Sequence, residues 1–551
     1  MAKPTENPPA GSHWDSEVRL LAWLAICVAV LSYLFYFRNG DTMLYGDAVA
    51  HINIARRVFD SKTPGLLQLG TVWLPLPHLL MVPFLVSDEM WRRGVGGSIP
   101  SLIAYVFGVV GMFRLTRALL SPGAEPDAEA RIAAWAAALI YAVNPNLIYL
   151  QTTAMGESLY LALFIWTVVY FSEWLKGDAR ALNKCAACLA AACLTRYDGW
   201  FLAAGMSAVV VVLALRSLRQ GQSPGSQLSR GAALRFVLIA AAVPTLWLAY
   251  NAIIYRNPLE FENGPYSAKA IEKRTENPVH PGHPGSGSLD VSALYVFKAA
   301  EENMADGKLL QRVLVIWFVA GCLGMFLFRR VLIIAFLLAP VPFYALSVAY
   351  GGVPIFVPAW WPFTHYNVRY GLQLLPAFAL AFAVLMYLGI KPPWQTGLWL
   401  KAFRWTSIVG TIVLVIASYA SIWRAAPITL AEAQINMRSR NQLEAQLAGW
   451  LSKLPPDSTV LMYLGDHVGA LQQAGIPLRR VINEGNHRVW KQPEDSEGLW
   501  ERALADPAAY ADYVVAFEGD PVWQAVKNRQ LRELVQIHVT GQTRAVLYRI
   551  R

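Results

Sequence analysis

Three groups of residues stand where chemistry could be done. The first is Asp47, in Tyr45-Gly46-Asp47-Ala48-Val49-Ala50-His51. It follows an uncharged apolar stretch, Leu20 to Phe37, of about the length that crosses a bilayer. A carboxylate just past a first span lies in water beside lipid headgroups, and faces outward if the span starts in the cytoplasm. A hydroxyl that attacks an anomeric carbon needs a base to take its proton. Asp47 therefore suits transfer from a lipid-linked donor to an acceptor on the far face of the membrane. His51 and the pair Arg56-Arg57 make the stretch dense in polar groups. A purely local reading competes: Asp47 precedes a helix-like run, Ala48 to Val58, and would cap it.

The second is Glu157, in Gln151-Thr152-Thr153-Ala154-Met155-Gly156-Glu157-Ser158. A carboxylate at the entry to a membrane helix is costly unless paired, hydrated or functional. It also serves as a favourable charge at a helix N-terminus. Asp47 and Glu157 together offer oxygen ligands for a divalent cation, although two carboxylates do not establish a metal and no other cofactor is implied.

The third group is cationic. Arg196 lies in Thr195-Arg196-Tyr197-Asp198-Gly199-Trp200, Lys269 in Asn263-Gly264-Pro265-Tyr266-Ser267-Ala268-Lys269, and Arg369 in His365-Tyr366-Asn367-Val368-Arg369-Tyr370. Arginine grips phosphate with a planar fork and lysine adds a compact charge. Arg196 has Asp198 as a competing partner. Arg369 has no acidic neighbour in sequence and sits at the depth of lipid phosphates, so it reads either as a phosphate ligand or as an anchor snorkelling to headgroups. A weaker motif, Gly465-Asp466-His467, closes a strand and reads as a turn or as a strand-end ligand site.

These residues need a membrane scaffold. The chain has 551 residues, 55% hydrophobic and only 15% charged, where soluble domains carry about 25%. Its mean hydropathy is +0.36. The net charge of +10 does not point to nucleic acid, because many basic residues cluster in short loops between apolar runs. Eleven spans are predicted, at about 20–37, 99–119, 132–150, 157–175, 182–195, 198–215, 236–255, 312–328, 331–349, 371–390 and 404–423. With the N-terminus inside, Arg114, Arg117, Arg131, Lys176, Arg180, Lys184, Arg216, Arg235, Arg329, Arg330, Lys391 and Lys401 all flank inner turns. The resulting layout is a cytoplasmic tail (1–19), a transmembrane domain (20–423) with outer loops 38–98, 256–311 and 350–370, and an extracytoplasmic domain (424–551). The first span lacks a basic n-region and a clear cleavage site, so it reads as an uncleaved anchor.

Val72 to Val86 is too short and proline-broken to span, and reads as helices lying at the interface. Pro278 to Gly287 has the composition of a mobile loop. The last stretch is soluble in composition, with strands expected at 460–464, 513–517, 535–539 and 545–550 and helices at 440–451 and 522–534: a small α/β domain. All five cysteines fall in apolar runs, and Cys185-x-x-Cys188 lacks the partners of a zinc site. There is no G-x-G-x-x-G, Walker loop, H-E-x-x-H or G-x-S-x-G, so ATP-driven and nicotinamide chemistry have no support.

The order of these parts resembles the GT-C superfamily of integral-membrane glycosyltransferases, and within it the protein O-mannosyltransferase and lipid A aminoarabinose-transferase branch. The resemblance spans residues 20–423. It is carried by Gly46-Asp47 with Ala50-His51, Leu74-Pro75-Leu76-Pro77, Asn144-Pro145 through Glu157, and Leu194-Thr195-Arg196-Tyr197-Asp198-Gly199-Trp200. Asn257-Pro258-Leu259 before Gly264-Pro265-Tyr266-Ser267-Ala268, and Arg369-Tyr370 before Leu374-Leu375-Pro376, complete it. It implies a GT-C-like polytopic α-helical fold in a bacterial inner membrane and a sugar donor on polyprenyl phosphate. Transfer would invert the anomeric centre, with a glycan, lipid or protein as acceptor. By match, Asp47 takes the role of base and Glu157 that of the second acid, while Arg369, Tyr370, Arg196 and Lys269 lie toward the donor phosphate and His51 and Tyr266 toward substrate. The chain departs from the protein-mannosylating members in having Ala48 after Asp47 instead of a second acid, and an α/β domain in place of their β-trefoil-like insert. Two other classes stay open. A transporter or flippase would show paired halves with broken helices at the midplane, and no such symmetry is visible. A non-catalytic envelope scaffold would act through residues 424–551.

Overall fold

In hydrocarbon every backbone amide must be satisfied within its own segment, so apolar runs of this length become helices. The computed structural model describes residues 16–121, 127–219, 230–275, 282–328, 330–392, 398–465, 467–486 and 498–550. Among them are nine helices long and apolar enough to cross a membrane: Ser16–Asn39, Val95–Leu120, Glu157–Leu175, Asp198–Ser217, Arg230–Tyr255, Lys308–Leu327, Val331–Tyr350, Val368–Ile390 and Lys401–Leu451.

Two of the eleven expected spans come out shorter than the roughly 20 residues a bilayer asks for. The predicted span 132–150 is broken: a 15-residue helix, Ala128–Ala142, stops before Asn144, and a new helix starts at Pro145–Leu150. The Asn144 side chain accepts from the amides of Asn146 and Leu147, and proline is well suited to the first turn, so the break is a built helix start. The fifth expected span is the 13-residue helix Ala181–Cys193. At the other end of the chain, the expected boundary near residue 424 is a kink. Helix Leu398–Ala425 turns at Ala426, whose φ is 75°, and at Pro427 into helix Ile428–Leu451.

Helix Val95–Leu120 lies against Ser16–Asn39, Ala128–Ala142 and Glu157–Leu175. Small residues allow this closeness: a Cβ on Gly108 would stand 2.6 Å from the Tyr141 hydroxyl. The segment before helix Leu375–Ile390 is a 3-10 turn, Val368–Leu374, and the two together are almost wholly buried. The piece expected at the interface forms the short helices Leu76–Met81 and Val82–Phe84. Of the loop expected to be mobile, residues 278–281 lie outside the described residues.

The C-terminal region forms a five-stranded sheet of β1 (Val460–Met462), β2 (Val481–Ile482), β3 (Tyr513–Phe517), β4 (Arg532–Ile537) and β5 (Ala545–Arg549), ordered β2-β1-β3-β5-β4. β1 pairs in parallel with β2 and β3, and β5 pairs antiparallel with β3 and β4. The expected helix 522–534 ends at Val526, and its last residues belong to β4. Asp466 lies outside the described residues. The sheet region is docked on residues 46–93. The buried Asp60 carboxylate accepts from the amides of Leu478 and Arg479, and Gln472 bonds both Asn53 and the Trp91 carbonyl.

Candidate active site

Asp47, Glu157, Arg196, Arg369 and Tyr370 converge on one cavity of about 1700 Å³, although they come from four distant parts of the chain. Local rules place each one. Tyr45 is extended and begins helix Gly46–Arg57, so Asp47 stands in the first turn and is not its cap. The local N-cap reading of Asp47 is thereby corrected. Glu157 is the first residue of helix Glu157–Leu175, where a negative charge is favoured. Arg196 sits in the turn before Asp198–Arg219. Arg369 lies in the 3-10 turn after Asn367, whose positive φ of 55° suits asparagine. That turn is tied down by Asn303, which donates to the Val368 carbonyl at 2.7 Å. All these helix ends therefore lie at the same end of the bundle. The opposite end carries the ion pairs Arg114–Glu173, Arg131–Glu17 and Lys391–Asp127.

The centre of the site is the Arg369 guanidinium. Nη2 donates to Asp47 Oδ2 at 2.6 Å, Nε to Glu157 Oε1 at 3.1 Å, and Nη1 to Glu432 Oε1 at 2.7 Å. Arg369 thus has three acidic neighbours in space and none in sequence. Its side chain is only 7% exposed, so it is no anchor reaching out to headgroups. Glu157 Oε1 also accepts from Arg196 Nη1 at 3.2 Å, linking the two guanidinium groups through one carboxylate. Arg196 bonds Asp198 at 3.4 Å, the local pair anticipated from sequence, and donates to the Tyr344 hydroxyl at 2.8 Å, which donates on to Asp198 at 3.0 Å. Arg369 lies between the rings of Tyr45 and Tyr370, 5.2 and 5.1 Å from their centroids, and Arg196 is 4.9 Å from Tyr370. Tyr344 stacks on Tyr370 with centroids 4.9 Å apart.

The three carboxylates around Arg369 are unequal. Glu157 and Glu432 are each 1% exposed, whereas the Asp47 side chain is 42% exposed to the cavity. Two arms of the fork are locked in, and the third ends on a group that water and ligand can reach.

His51 lines the same cavity, with its ring 4.7 Å from Trp73 and Nδ1 2.8 Å from Nε2 of His78. Burial pushes both imidazoles below the usual histidine range, His78 the further. Tyr266 lines the cavity and is largely exposed. Lys269 is not brought to Arg369: it is exposed and its charge acts on Glu262, whose carboxyl is raised by burial and lowered by Lys269. Asp47 and Glu157 meet across the Arg369 guanidinium, each accepting from it. No group of three or more His, Cys, Asp or Glu among the described residues is arranged to hold a metal.

Glu432, Tyr344 and His78 escaped the sequence reading. Glu432 lies in a polar helix that reads as the start of a soluble domain, and no motif surrounds it.

No family model and no curated protein matches this chain. Among solved structures, ArnT from Cupriavidus metallidurans bound to undecaprenyl phosphate is 14% identical with a TM-score of 0.56, over 97% of this chain and 98% of that one. Its apo state gives 14% and 0.57 over the same shares. The apo oligosaccharyltransferase of Archaeoglobus fulgidus is similar at 13% identity and a TM-score of 0.46, over 92% of this chain and 70% of that one. The likeness to ArnT runs through the helical bundle and the C-terminal sheet region alike, and this chain shares the polytopic membrane fold of those structures.

Proposed function

We propose that this chain is a membrane glycosyltransferase that moves a sugar from a polyprenyl-phosphate donor to a glycan, lipid or protein acceptor. The observation that carries this reading is the Asp47–Arg369 couple, a partly exposed carboxylate and a buried guanidinium 2.6 Å apart in one cavity. Transfer of this kind needs both groups together. An acceptor hydroxyl loses its proton to Asp47 as its oxygen bonds the anomeric carbon. The bond from that carbon to the lipid phosphate breaks on the opposite face, which inverts the centre. Negative charge grows on the leaving phosphate, where Arg369, backed by Arg196, stabilises it. Glu157 fixes both cations, and Tyr370 and Tyr344 form the wall beside them. The ArnT relative was solved with undecaprenyl phosphate bound, which supports a lipid phosphate as the group met here.

The basic residues at the bundle end away from the cavity favour a cytoplasmic N-terminus. The cavity and residues 424–551 would then face the outside of a bacterial inner membrane. The deciding experiment incubates purified protein with polyprenyl-phosphate sugars together with glycan, lipid and protein acceptors, and measures released lipid phosphate. Release by the wild type and none by Asp47→Asn supports the reading. Release at equal rates from both removes Asp47 as base, and no release with any donor overturns the reading.

A further inference from the structure

Glu432 does not itself line the cavity, yet the donors it accepts from belong to the segment that carries Arg369. Its Oε1 accepts from the Asn367 amide at 3.2 Å and from Arg369 Nη1 at 2.7 Å, and its Oε2 accepts from the Val368 amide at 2.8 Å. One carboxylate thus clamps both the backbone entering the 3-10 turn and the side chain leaving it.

The helix that carries Glu432, Ile428–Leu451, is held at both ends of this contact. Tyr45 donates to the Thr429 carbonyl at 2.7 Å, and the Thr429 amide and hydroxyl both donate to Asn146 Oδ1. Further along, Arg440 lies against Gly46, where a Cβ would stand 2.5 Å from Nη1, and bonds Glu444 at 2.9 Å. Glu444 in turn lies 3.8 Å from His467, beyond the end of β1. The helix therefore runs from the sheet region past Gly46-Asp47 to Arg369.

We infer that Glu432 is a positioning residue, which aims the Nη2 edge of Arg369 into the cavity so that an oxyanion of a lipid phosphate can replace Asp47 there. With Glu157 and Glu432 fixed on two arms, only the Asp47 arm can exchange. Replacement would also release Asp47, so the base becomes available when the donor is seated. This inference rests on the proposed glycosyltransferase reading.

The test measures undecaprenyl phosphate affinity of the full chain in detergent, for wild type, Glu432→Gln, Arg369→Ala and the double variant, with melting curves alongside. A hydrogen bond between charged groups is worth enough that Glu432→Gln should weaken binding about tenfold to a hundredfold. If Glu432 acts through Arg369, the double variant binds no worse than Arg369→Ala alone. Additive losses, or unchanged affinity in folded Glu432→Gln, overturn the positioning role while leaving the function intact. Wild-type protein that does not bind undecaprenyl phosphate at all overturns the functional reading and this inference with it. If Glu432→Gln does not fold, Glu432→Asp, which keeps the charge and shortens the reach, enters the same cycle with the same two outcomes.

Discussion

Asp47 and Arg369 are 322 positions apart in the chain and 2.6 Å apart in the folded protein. As long as that bond holds, Oδ2 of Asp47 is engaged by the guanidinium and is not free to take an acceptor's proton. A phosphate at Arg369 and an acceptor at Asp47 would therefore help one another. Asp47→Asn is expected to lower transfer about 10²–10⁴-fold, the range of a general base. The same variant should bind undecaprenyl phosphate as tightly as the wild type or more so, because a neutral amide competes less well for the guanidinium. Weakened binding would make Asp47 a part of the cation's support and not its competitor. Rate and affinity must be measured on the same preparation to separate the two.

Much of the scaffold was legible because bilayer physics leaves few choices. Apolar length marked helices such as Val95–Leu120 and Glu157–Leu175, and the strands Tyr513–Phe517 and Ala545–Arg549 followed from local apolar content. What failed was local in origin. The break at Asn144-Pro145 is a helix start hidden inside an apolar run, and β2 has only two residues, too few for a period to show. The acids and arginines of the site stood out because charge is rare in such a chain. Their partners did not, since Glu432 and Arg369 meet across 63 positions. Arg369 read as unpaired for the same reason: sequence neighbours say nothing about three carboxylates delivered by other helices.

Gly371, two residues after Arg369, lies flat against helix Leu289–Met304. A Cβ there would collide with the backbone of Ala299 and Ala300. Backbone cannot swing aside as a long side chain can, so Gly371→Ala should cost about 1–3 kcal/mol or more. The displaced 3-10 turn should also weaken lipid-phosphate binding. Gly205→Ala is the control, since a Cβ there meets nothing within 4 Å, and it should leave both the melting temperature and the affinity near wild type.

Replacing Arg369 discriminates between charge and geometry. Arg369→Ala leaves Glu157 and Glu432 buried without their common partner, and loss of one member of a buried ion pair costs about 3–5 kcal/mol. Thermal melting should show that loss even without ligand. Arg369→Lys keeps the charge but presents a single ammonium to three carboxylates, so it should recover part of the stability and little of the phosphate affinity. Full recovery of affinity by lysine would mean that the fork is not used on the ligand.

The paired histidines give a pH dependence with a definite sign. His51 Nδ1 and His78 Nε2 are 2.8 Å apart, so one nitrogen donates and the other accepts. Burial, the largest cause for each, holds both imidazoles below the usual value of about 6.5 in the folded chain. Asp47 and Glu157 pull His51 upward without cancelling that effect, and His51 pushes His78 further down. The unfolded chain therefore takes up protons first as the pH falls. Stability from the pair is complete above about pH 6.5 and is lost progressively below it. Between about pH 6.5 and 5 the pair lowers the melting temperature as the pH falls, against the opposite influence of Glu302 and Asp520, whose buried carboxyls are raised to about 7 and about 6. His78→Gln, which leaves one imidazole instead of two, should have a shallower fall over that window. A His78→Gln variant whose melting temperature depends on pH as the wild type's does would remove the buried pair as a source of that dependence.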